Sequence, residues 1–369
     1  MKQFHLIVLG VIVSLLTVRL FAQEAPLSSV EALPTAPYAC DGTPPQREPA
    51  DYDGALPSVP VTPIETLSVL HVPRLIESGY YAQVAQGMDI DSRLIGNVFL
   101  TTDASNRADA ALQERVIDIY EGTYNGLIVA PAGSELAPVL SRLIESGIWV
   151  VAYDHDPGPQ ARSWYVEPVE ANALAYTLAE RLAAQLGGAG RFAVLSTEEQ
   201  APWVAELEAY LAQCHPDLTW LETAVVKSGS AADLLARYSD DLDALVVLEW
   251  EAFAEAAQAV TEAQRCPLDA AEGAASDAEA AVQLVGVSTP NLMRPFMVSG
   301  CVAEIVMWDP QAVGAAALEA LMAAVNGTLQ PGADRLQTQQ LGALDVVGSV
   351  IKLGPPQVFT AEMIPNLDF

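Results

Sequence analysis

The sequence predicts an α/β fold with two parallel sheets, each in its own lobe. Short β-branched runs alternate with helical runs rich in Ala, Leu and Glu, which is the pattern of successive βαβ units. The alternation falls into two series that divide before Ala171, and 369 residues suit two lobes better than one core. Polar or aromatic side chains follow many strands, at the edge where open α/β sheets bind small molecules.

The first series supplies four strands and the helices between them. The predicted strands are Leu67–His71, Asn97–Leu100, Gly126–Ala130 and Ile148–Tyr153. The predicted helices are Ala82–Ile90, Arg107–Tyr120 and Glu135–Glu145. Their amphipathic patterns indicate helices that cover the faces of the sheet.

The second series begins with the helix Ala171–Leu186, which the pair Gly187-Gly188 is expected to end. Its predicted strands are Phe192–Leu195, Ala224–Val226, Ala244–Leu248 and Leu284–Val287. The sequence Ser288-Thr-Pro-Asn-Leu-Met-Arg-Pro-Phe296 then predicts a polar turn and a short helix, and Val306-Met-Trp-Asp309 a strand with an acid at its exit. Residues 268–280 are predicted to form a surface loop without chemistry of its own.

The N-terminal residues predict export. An apolar run from Leu6 to Val18 follows Met1-Lys2, and Leu20-Phe21-Ala22 provides small residues for cleavage, so residues 1–22 are interpreted as a signal peptide. An uncleaved anchor is the less favoured alternative. Residues 23–63, rich in Pro and Ala, are predicted to be a disordered linker. The protein is therefore expected in the periplasm or outside the cell.

Composition and the absence of several motifs argue against some classes of function. The net charge of −30, from 47 acidic and 17 basic residues, repels nucleic acid, so no nucleic-acid partner is expected. The chain has no Gly-x-Ser-x-Gly elbow, P-loop or glycine-rich dinucleotide turn, and only four histidines. We therefore expect a protein that is not an enzyme and uses no cofactor.

The four cysteines leave their pairing open. Cys40, Cys214, Cys266 and Cys301 lack the close spacing of metal ligands. An exported protein can form disulfides, and four cysteines allow three pairings. Cys266 and Cys301 are the pair to test first, and buried free thiols are the alternative.

Candidate ligand-binding residues follow the strands of the first series. Aromatic rings stack on the apolar face of a sugar, and carboxylates or a guanidinium bond to its hydroxyl groups. Tyr80 and Tyr81 could instead be core residues, and Ser134 and Glu135 could serve only to cap a helix. As a minor alternative, Asp154 and Asp156 could hold a metal together with His155. The candidates are Arg74, Tyr80, Tyr81, Ser134, Glu135, Asp154 and Asp156.

The second series presents further candidates at its strand ends. A single acid at a helix start more often interacts with the helix dipole than with a ligand, so the hypothesis rests on repetition across both series. The candidates are Glu199, Gln200, Glu249, Trp250, Asn291 and Asp309.

These motifs resemble the sugar-binding periplasmic binding proteins of type I, and most closely the rhamnose and autoinducer-2 receptors of ABC transporters. The resemblance rests on residues 286–296, Val306–Asp309, Gly126–Ala130 and the terminal Pro365-Asn-Leu-Asp-Phe369. It implies two Rossmann-like lobes joined by three hinge crossings near residues 166–168, 288–291 and 307–309. The N-terminal lobe would comprise 64–166 plus 289–307, and the C-terminal lobe 167–288 plus 308–369.

The resemblance also implies roles for individual residues. Tyr80 and Tyr81 match the stacking aromatics, Asp154 matches a ligand-binding acid, and Glu199-Gln200 stands where relatives show Asp-Gln. Arg74 replaces a lysine, and Glu249-Trp250-Glu251 replaces Pro-Asp-Ala of the autoinducer-2 receptors. The implied function is capture of a small sugar or polyol by a monomer that delivers it to an ABC permease. A sensory module that presents the sugar to a membrane kinase or chemoreceptor is the alternative.

Overall fold

The computed structural model describes residues 38–42, 66–76, 78–267 and 281–369. The predicted signal peptide, most of the predicted linker and residues 268–280 lie outside the described residues. One compact unit, Pro37–Phe369, contains all of the residues described here. In this part of the chain, none of the helices combines the length and the apolarity needed to cross a membrane.

The first lobe is built on five parallel strands in the order β5-β4-β3-β1-β2. All four residues of its central strand β3 are buried, as expected for a parallel strand covered on both faces. Its elements are β1 (Leu67–Val72), α1 (Gly79–Ile95), β2 (Val98–Thr102), α2 (Ala110–Ile119), β3 (Gly126–Val129), α3 (Ala137–Glu145), β4 (Trp149–Tyr153) and β5 (Trp164–Glu167).

The second lobe contains a four-stranded parallel sheet in the order β7-β6-β8-β9. Helix α4 ends at Gly187, which adopts the left-handed conformation that the predicted glycine stop requires. The elements are α4 (Ala171–Leu186), β6 (Gly190–Ser196), α5 (Ala201–Cys214), β7 (Leu218–Val225), α6 (Ser230–Tyr238), β8 (Ala244–Val247), α7 (Trp250–Glu262), β9 (Gln283–Gly286), α8 (Pro290–Val298) and β10 (Glu304–Met307).

The remaining elements return to the first lobe and then leave it. Helix α9 packs on α1, β3, β4 and β5, and β11 to β13 extend the first sheet to eight strands, with β13 beside β5. Strand β14 pairs antiparallel with β10. These elements are α9 (Pro310–Val325), β11 (Arg335–Gln337), β12 (Ala343–Val347), β13 (Val350–Lys352) and β14 (Gln357–Thr360).

The predicted lobe boundaries are wrong for the last third of the chain. Residues 289–307 were expected in the first lobe, but α8 packs on α7, and Val306 pairs with Val287 beside β9. Residues 308–369 were expected in the second lobe, but α9 and β11 to β13 belong to the first. Strands and helices alternate in both segments, so the sequence does not show which sheet supplies their neighbours.

Two of the three predicted crossings lie where the chain changes sheets. Within residues 66–369 it passes from β5 to α4 near residues 167–171 and from β10 to α9 near residues 307–310. The third crossing lies between β13 and β14, and not at the predicted residues 288–291. The two-lobed α/β fold is therefore confirmed, with a different third connection.

Helices α1 and α9 approach each other backbone to backbone. A Cβ atom on Gly314 would lie 1.9 Å from the carbonyl oxygen of Val84, and one on Gly87 would lie 2.1 Å from that of Gln311. Glycine at both positions is therefore required by packing. This contact fixes α1, whose first turn carries Tyr80 and Tyr81.

Two disulfides are present, Cys40–Cys214 and Cys266–Cys301. The disulfide Cys266–Cys301 joins the pair of cysteines that the sequence analysis favours for testing. The first attaches residues 38–42 to the second lobe, where the buried Tyr38 packs against Tyr210 with ring centroids 4.9 Å apart and donates a 2.6 Å hydrogen bond to Glu206. The prediction of a disordered linker is therefore wrong for residues 38–42, because a disulfide and a buried ring hold them.

Candidate ligand-binding site

Asp154 lies at the centre of a cluster at the carboxyl end of the first sheet. It follows β4 and has a φ of +60°, in the left-handed region that Asp tolerates better than most residues. The hydroxyl of Tyr80 donates a 2.7 Å hydrogen bond to its Oδ1 atom. The other carboxylate oxygen, Oδ2, is buried and has no hydrogen-bond partner among the described residues.

The environment of Asp154 opposes its ionisation. Burial raises the pKa of its carboxyl group to about 6, although the hydroxyls of Tyr80 and Tyr81 and the charge of Arg74 act in the opposite direction. Burial also raises the pKa of Tyr80 and of Tyr81 well above the usual value, so both remain hydroxyl donors. The hydrogen bond that Tyr80 donates favours the charged carboxylate.

Arg74 supplies a cation with spare bonding capacity beside this carboxylate. Its Nη2 atom donates to the carbonyl of Ala132 at 3.4 Å, and its Nε atom is buried without a hydrogen-bond partner in the described structure. Arg74 follows β1 and Ala132 follows β3, so three parallel strands contribute to one sheet edge. The cluster thus has an unpaired donor and an unpaired acceptor.

Tryptophans from the second lobe and from a crossing complete the cluster. The ring of Trp250, at the start of α7, packs edge to face on Tyr80 with centroids 5.3 Å apart. Trp308, between β10 and α9, donates a 2.8 Å hydrogen bond from Nε1 to the Tyr80 hydroxyl. Trp203 of α5 packs against Trp308 with centroids 6.2 Å apart. The strand ends of both lobes therefore meet at Tyr80.

Trp308 and His71 were missed by sequence reasoning. Trp308 directly precedes the predicted Asp309, so the predicted motif contributes to the cluster through a different side chain. His71 is buried below the cluster, with Nε2 2.8 Å from the Tyr153 hydroxyl and Nδ1 3.2 Å from Thr102 Oγ1. Burial lowers the pKa of His71 to about 3, so the imidazole is neutral at pH 7. No pattern in the sequence distinguished it from an ordinary core residue.

Glu199 and Gln200 lie at the second lobe's strand ends. A carboxylate oxygen of Glu199 lies 3.9 Å from Nδ1 of His155 in the first lobe. Gln200 accepts a hydrogen bond from the backbone of Thr197 and donates one to the carbonyl of Leu248. Both residues lie near the line where the lobes meet, with the Gln200 amide group already bonded.

Four predicted residues have other bonding partners. Asp156 forms a two-point ion pair with the buried Arg162, with atoms 2.6 and 2.8 Å apart. Asp309 and Glu249 cap α9 and α7 by accepting hydrogen bonds from backbone N–H groups, and burial raises the pKa of Glu249. Asn291 bonds to the C-terminal segment at Asp368 and Phe369. In this structure, the three carboxylates and the Asn291 amide therefore bond to other parts of the protein and stabilise its fold.

Ser134 and Glu135 are exposed on a 3-10 turn after β3, and the N-cap residues of this turn and of α3 are Gly133 and Leu136, not Ser134. The capping alternative for Ser134 is therefore wrong. The metal alternative at Asp154 and Asp156 also gains no support, since the two carboxylates bond to different partners. In the described ranges, no group of three or more His, Cys, Asp or Glu side chains could hold a metal ion.

A surface groove of about 540 Å³ lies elsewhere, between α6 and α7 of the second lobe. Leu235, Ala259 and Arg265 help to line it, and none of the predicted site residues does. Arg265 donates there to the carbonyls of Ser239 and Leu242. The buried atoms without partners, Asp154 Oδ2 and Arg74 Nε, lie in the cluster around Asp154 and not in this groove. The cluster around Asp154 is therefore the candidate site.

Two α/β lobes whose strand ends converge on polar and aromatic side chains define a two-lobed binding protein. The family model of the periplasmic binding protein domain matches residues 69–329. The chain therefore belongs to the periplasmic binding protein family.

Solved structures share this fold. A sugar ABC transporter protein from Actinomyces odontolyticus matches with a TM-score of 0.68 and 23% identity, over 82% of this chain and 98% of that one. LsrB from Clostridium saccharobutylicum, solved in complex with AI-2, matches with a TM-score of 0.68 and 18% identity, over 82% of this chain and 100% of that one. An ABC transporter solute-binding protein from Clostridium phytofermentas with bound L-rhamnose has the same TM-score and identity, over 82% and 99%.

Proposed function

We propose that this protein is an extracytoplasmic solute-binding protein that captures a small sugar or polyol between its lobes and delivers it to an ABC importer. The observation that carries the proposal is the pair of buried polar atoms without partners, Asp154 Oδ2 and Arg74 Nε. Leaving such atoms unpaired is costly, whereas a ligand that offers them a donor and an acceptor removes that cost. Neighbouring hydroxyl groups of a sugar provide both functions.

The aromatic residues around this pair favour a ligand with an apolar face. Tyr80 and Trp250 come from opposite lobes, and their rings lie 5.3 Å apart. A sugar ring presents C–H groups on its face and hydroxyl groups at its edge, which suits aromatic walls around a charged centre. The ligands of the structural relatives, AI-2 and L-rhamnose, are of this chemical class.

Capture would proceed by closure of the lobes about the crossings. Tyr80 meets Trp308 and Trp250, and His155 meets Glu199, only if the lobes are close together. A ligand bound to Asp154 in the first lobe gains contacts from the second lobe on closure, so it favours the closed state. The closed protein would then be the form that the permease recognises.

The proposed location and partner rest on family membership and on the disulfides. Disulfides persist in oxidising compartments, and both bonds here close within a single chain. A periplasmic or extracellular monomer that serves an ABC permease is consistent with both observations.

A thermal-shift screen of the purified protein against monosaccharides, polyols and autoinducer-2 tests the proposal. A ligand at about 100 times its dissociation constant adds about 2.7 kcal/mol of stability. We expect a large shift with one compound, its loss in Asp154→Ala, and its retention in Glu114→Ala, which removes a partly exposed carboxylate of the same lobe that pairs with Arg142. A screen without any shift would contradict the proposed ligand class.

A further inference from the structure

A chain of hydrogen bonds connects a hinge crossing to the carboxylate of Asp154. Trp308 lies on the crossing between β10 of the second lobe and α9 of the first. Its Nε1 atom lies 2.8 Å from the Tyr80 hydroxyl, which lies 2.7 Å from Asp154 Oδ1. Trp308 and Tyr80 are both buried, so water does not compete for these bonds.

The chemistry of the three groups fixes the direction of the chain. An indole N–H can only donate, and an ionised carboxylate can only accept. The Tyr80 oxygen therefore accepts from Trp308, and its single proton points to Oδ1 of Asp154. The Oδ2 atom is left as the acceptor without a partner in the described structure.

We propose that Trp308 is a positioning residue whose indole N–H orients the Tyr80 hydroxyl, so that Asp154 presents its Oδ2 atom to the ligand. This inference rests on the proposed function as far as the ligand is concerned. Trp250 packs on the ring of the same tyrosine, and Trp203 packs on Trp308, so the two additional tryptophans pack against the two side chains that form this hydrogen bond. None of the three belongs to the first sheet, which carries Asp154.

The position of Trp308 couples the acceptor to the hinge. Crossings are the segments whose backbone changes when two lobes rotate, whereas Tyr80 and Asp154 belong to one rigid lobe. Movement of the crossing shifts the indole relative to α1 and releases the Tyr80 hydroxyl from its donor. Closure therefore sets the hydrogen-bond arrangement of Asp154 as well as surrounding the ligand.

The titration of Asp154 in the ligand-free full-length protein, followed by carboxyl ¹³C NMR, tests this role. A donor that bonds to Tyr80 strengthens the donation from Tyr80 to the carboxylate, so loss of either donor raises the pKa of Asp154. We expect Tyr80→Phe to raise the midpoint from about 6 by about one pH unit, and Trp308→Phe to raise it by a smaller amount. The Asp154→Asn variant assigns the signal.

The double variant distinguishes positioning from a general loss of packing. If Trp308 acts through Tyr80, adding Trp308→Phe to Tyr80→Phe causes no further rise in the midpoint. Trp220→Phe is the matched control, because it removes a surface indole N–H that bonds to Thr223. The other groups facing the carboxylate are unchanged in all variants; they are Arg74, Tyr81, Tyr153 and Tyr165. A Trp308→Phe midpoint equal to wild type, or additive effects, would overturn the proposal.

Binding of L-rhamnose, measured by calorimetry, separates this inference from the proposed function. We expect Trp308→Phe to weaken binding about 3- to 10-fold, the loss typical of one hydrogen bond, and Trp220→Phe to leave it unchanged. A wild-type protein that does not bind L-rhamnose would exclude that sugar as the ligand, and the thermal-shift screen then decides the proposed ligand class. The titrations need no ligand, so they decide the role of Trp308 in either case.

Discussion

Asp154 and Asp156 lie two residues apart after β4, yet their carboxyl groups have opposite environments. Burial raises the pKa of Asp154 to about 6, so its charge destabilises the ligand-free protein at pH 7. Asp156 instead pairs with the fully buried Arg162 through two hydrogen bonds. The same substitution should therefore have opposite effects at the two positions.

We expect Asp154→Asn to stabilise the ligand-free protein by about 1 kcal/mol at pH 7, because the amide needs no charge in a buried site. Asp156→Asn should destabilise it by about 2 kcal/mol, because Arg162 loses its charge partner. Urea unfolding of both variants at pH 7 measures the difference. Equal signs for the two variants would contradict this assignment of roles.

At this scale the sequence predicts the residue types at the site better than their roles. The expectation that ligand-binding residues follow the strands selects Asp154, Tyr80, Tyr81 and Trp250, and these four residues lie together. It also selected Asp309, which caps a helix. Roles depend on partners such as Arg162, which the chain brings together only on folding.

At the scale of single elements, the crossing of α1 and α9 decides where Tyr80 lies. Gly314 allows the two backbones to touch at Val84, one turn of helix beyond Tyr80. Such an approach has no signature in the hydrophobic pattern, because α9 is apolar on nearly all faces. The sequence could predict α9 as a buried helix, but not its partner.

We expect Gly314→Ala to destabilise the protein by about 1–3 kcal/mol, because its Cβ atom would lie 1.9 Å from the Val84 oxygen. At an unobstructed helix position the same change stabilises by about 1 kcal/mol, so the sign of the effect identifies the contact. Thermal unfolding gives the sign. A variant more stable than wild type would show that α1 and α9 do not approach closely.

At the scale of the whole molecule, the sequence predicts two sheets but not the final path between them. Residues 289–307 and 308–352 were assigned to the wrong lobes, since alternating strands and helices satisfy either connection. The same limitation applies to residues 38–42. Their attachment depends on Cys40–Cys214, one of several pairings that four cysteines allow.

The balance between buried acids and a buried histidine determines how stability varies with pH. Glu319 on α9 is buried, and both its oxygens accept from the backbone of Gln339. Burial raises its pKa to about 7, and the nearby Asp91 on α1 adds to the rise. The folded state therefore keeps a proton that the unfolded chain releases above about pH 4.5, so this contribution is lost as pH rises towards 7.

Asp154 acts in the same direction as Glu319, and His71 acts in the opposite direction. Asp154 holds its proton up to about pH 6 in the folded state, compared with 3.8 for the ordinary side chain. The pKa of His71 is lowered to about 3, so protonation of the unfolded chain below about pH 6.5 favours unfolding. Between pH 8 and 5.5 the two acids together add more stability than His71 removes, because both hold protons that the unfolded chain has released.

We therefore expect the wild-type protein to be about 1 kcal/mol more stable at pH 5.5 than at pH 8. Glu319→Gln removes the larger acidic contribution, about 2 kcal/mol, so its order of stability should reverse. Glu114→Gln, at a partly exposed position, should retain the wild-type order, because it changes the net charge of −30 by the same amount without removing a buried proton site. Urea unfolding of the three proteins at both pH values tests this. If Glu114→Gln and Glu319→Gln behave alike, general repulsion among the acidic residues, and not the buried carboxyl group, governs the pH dependence.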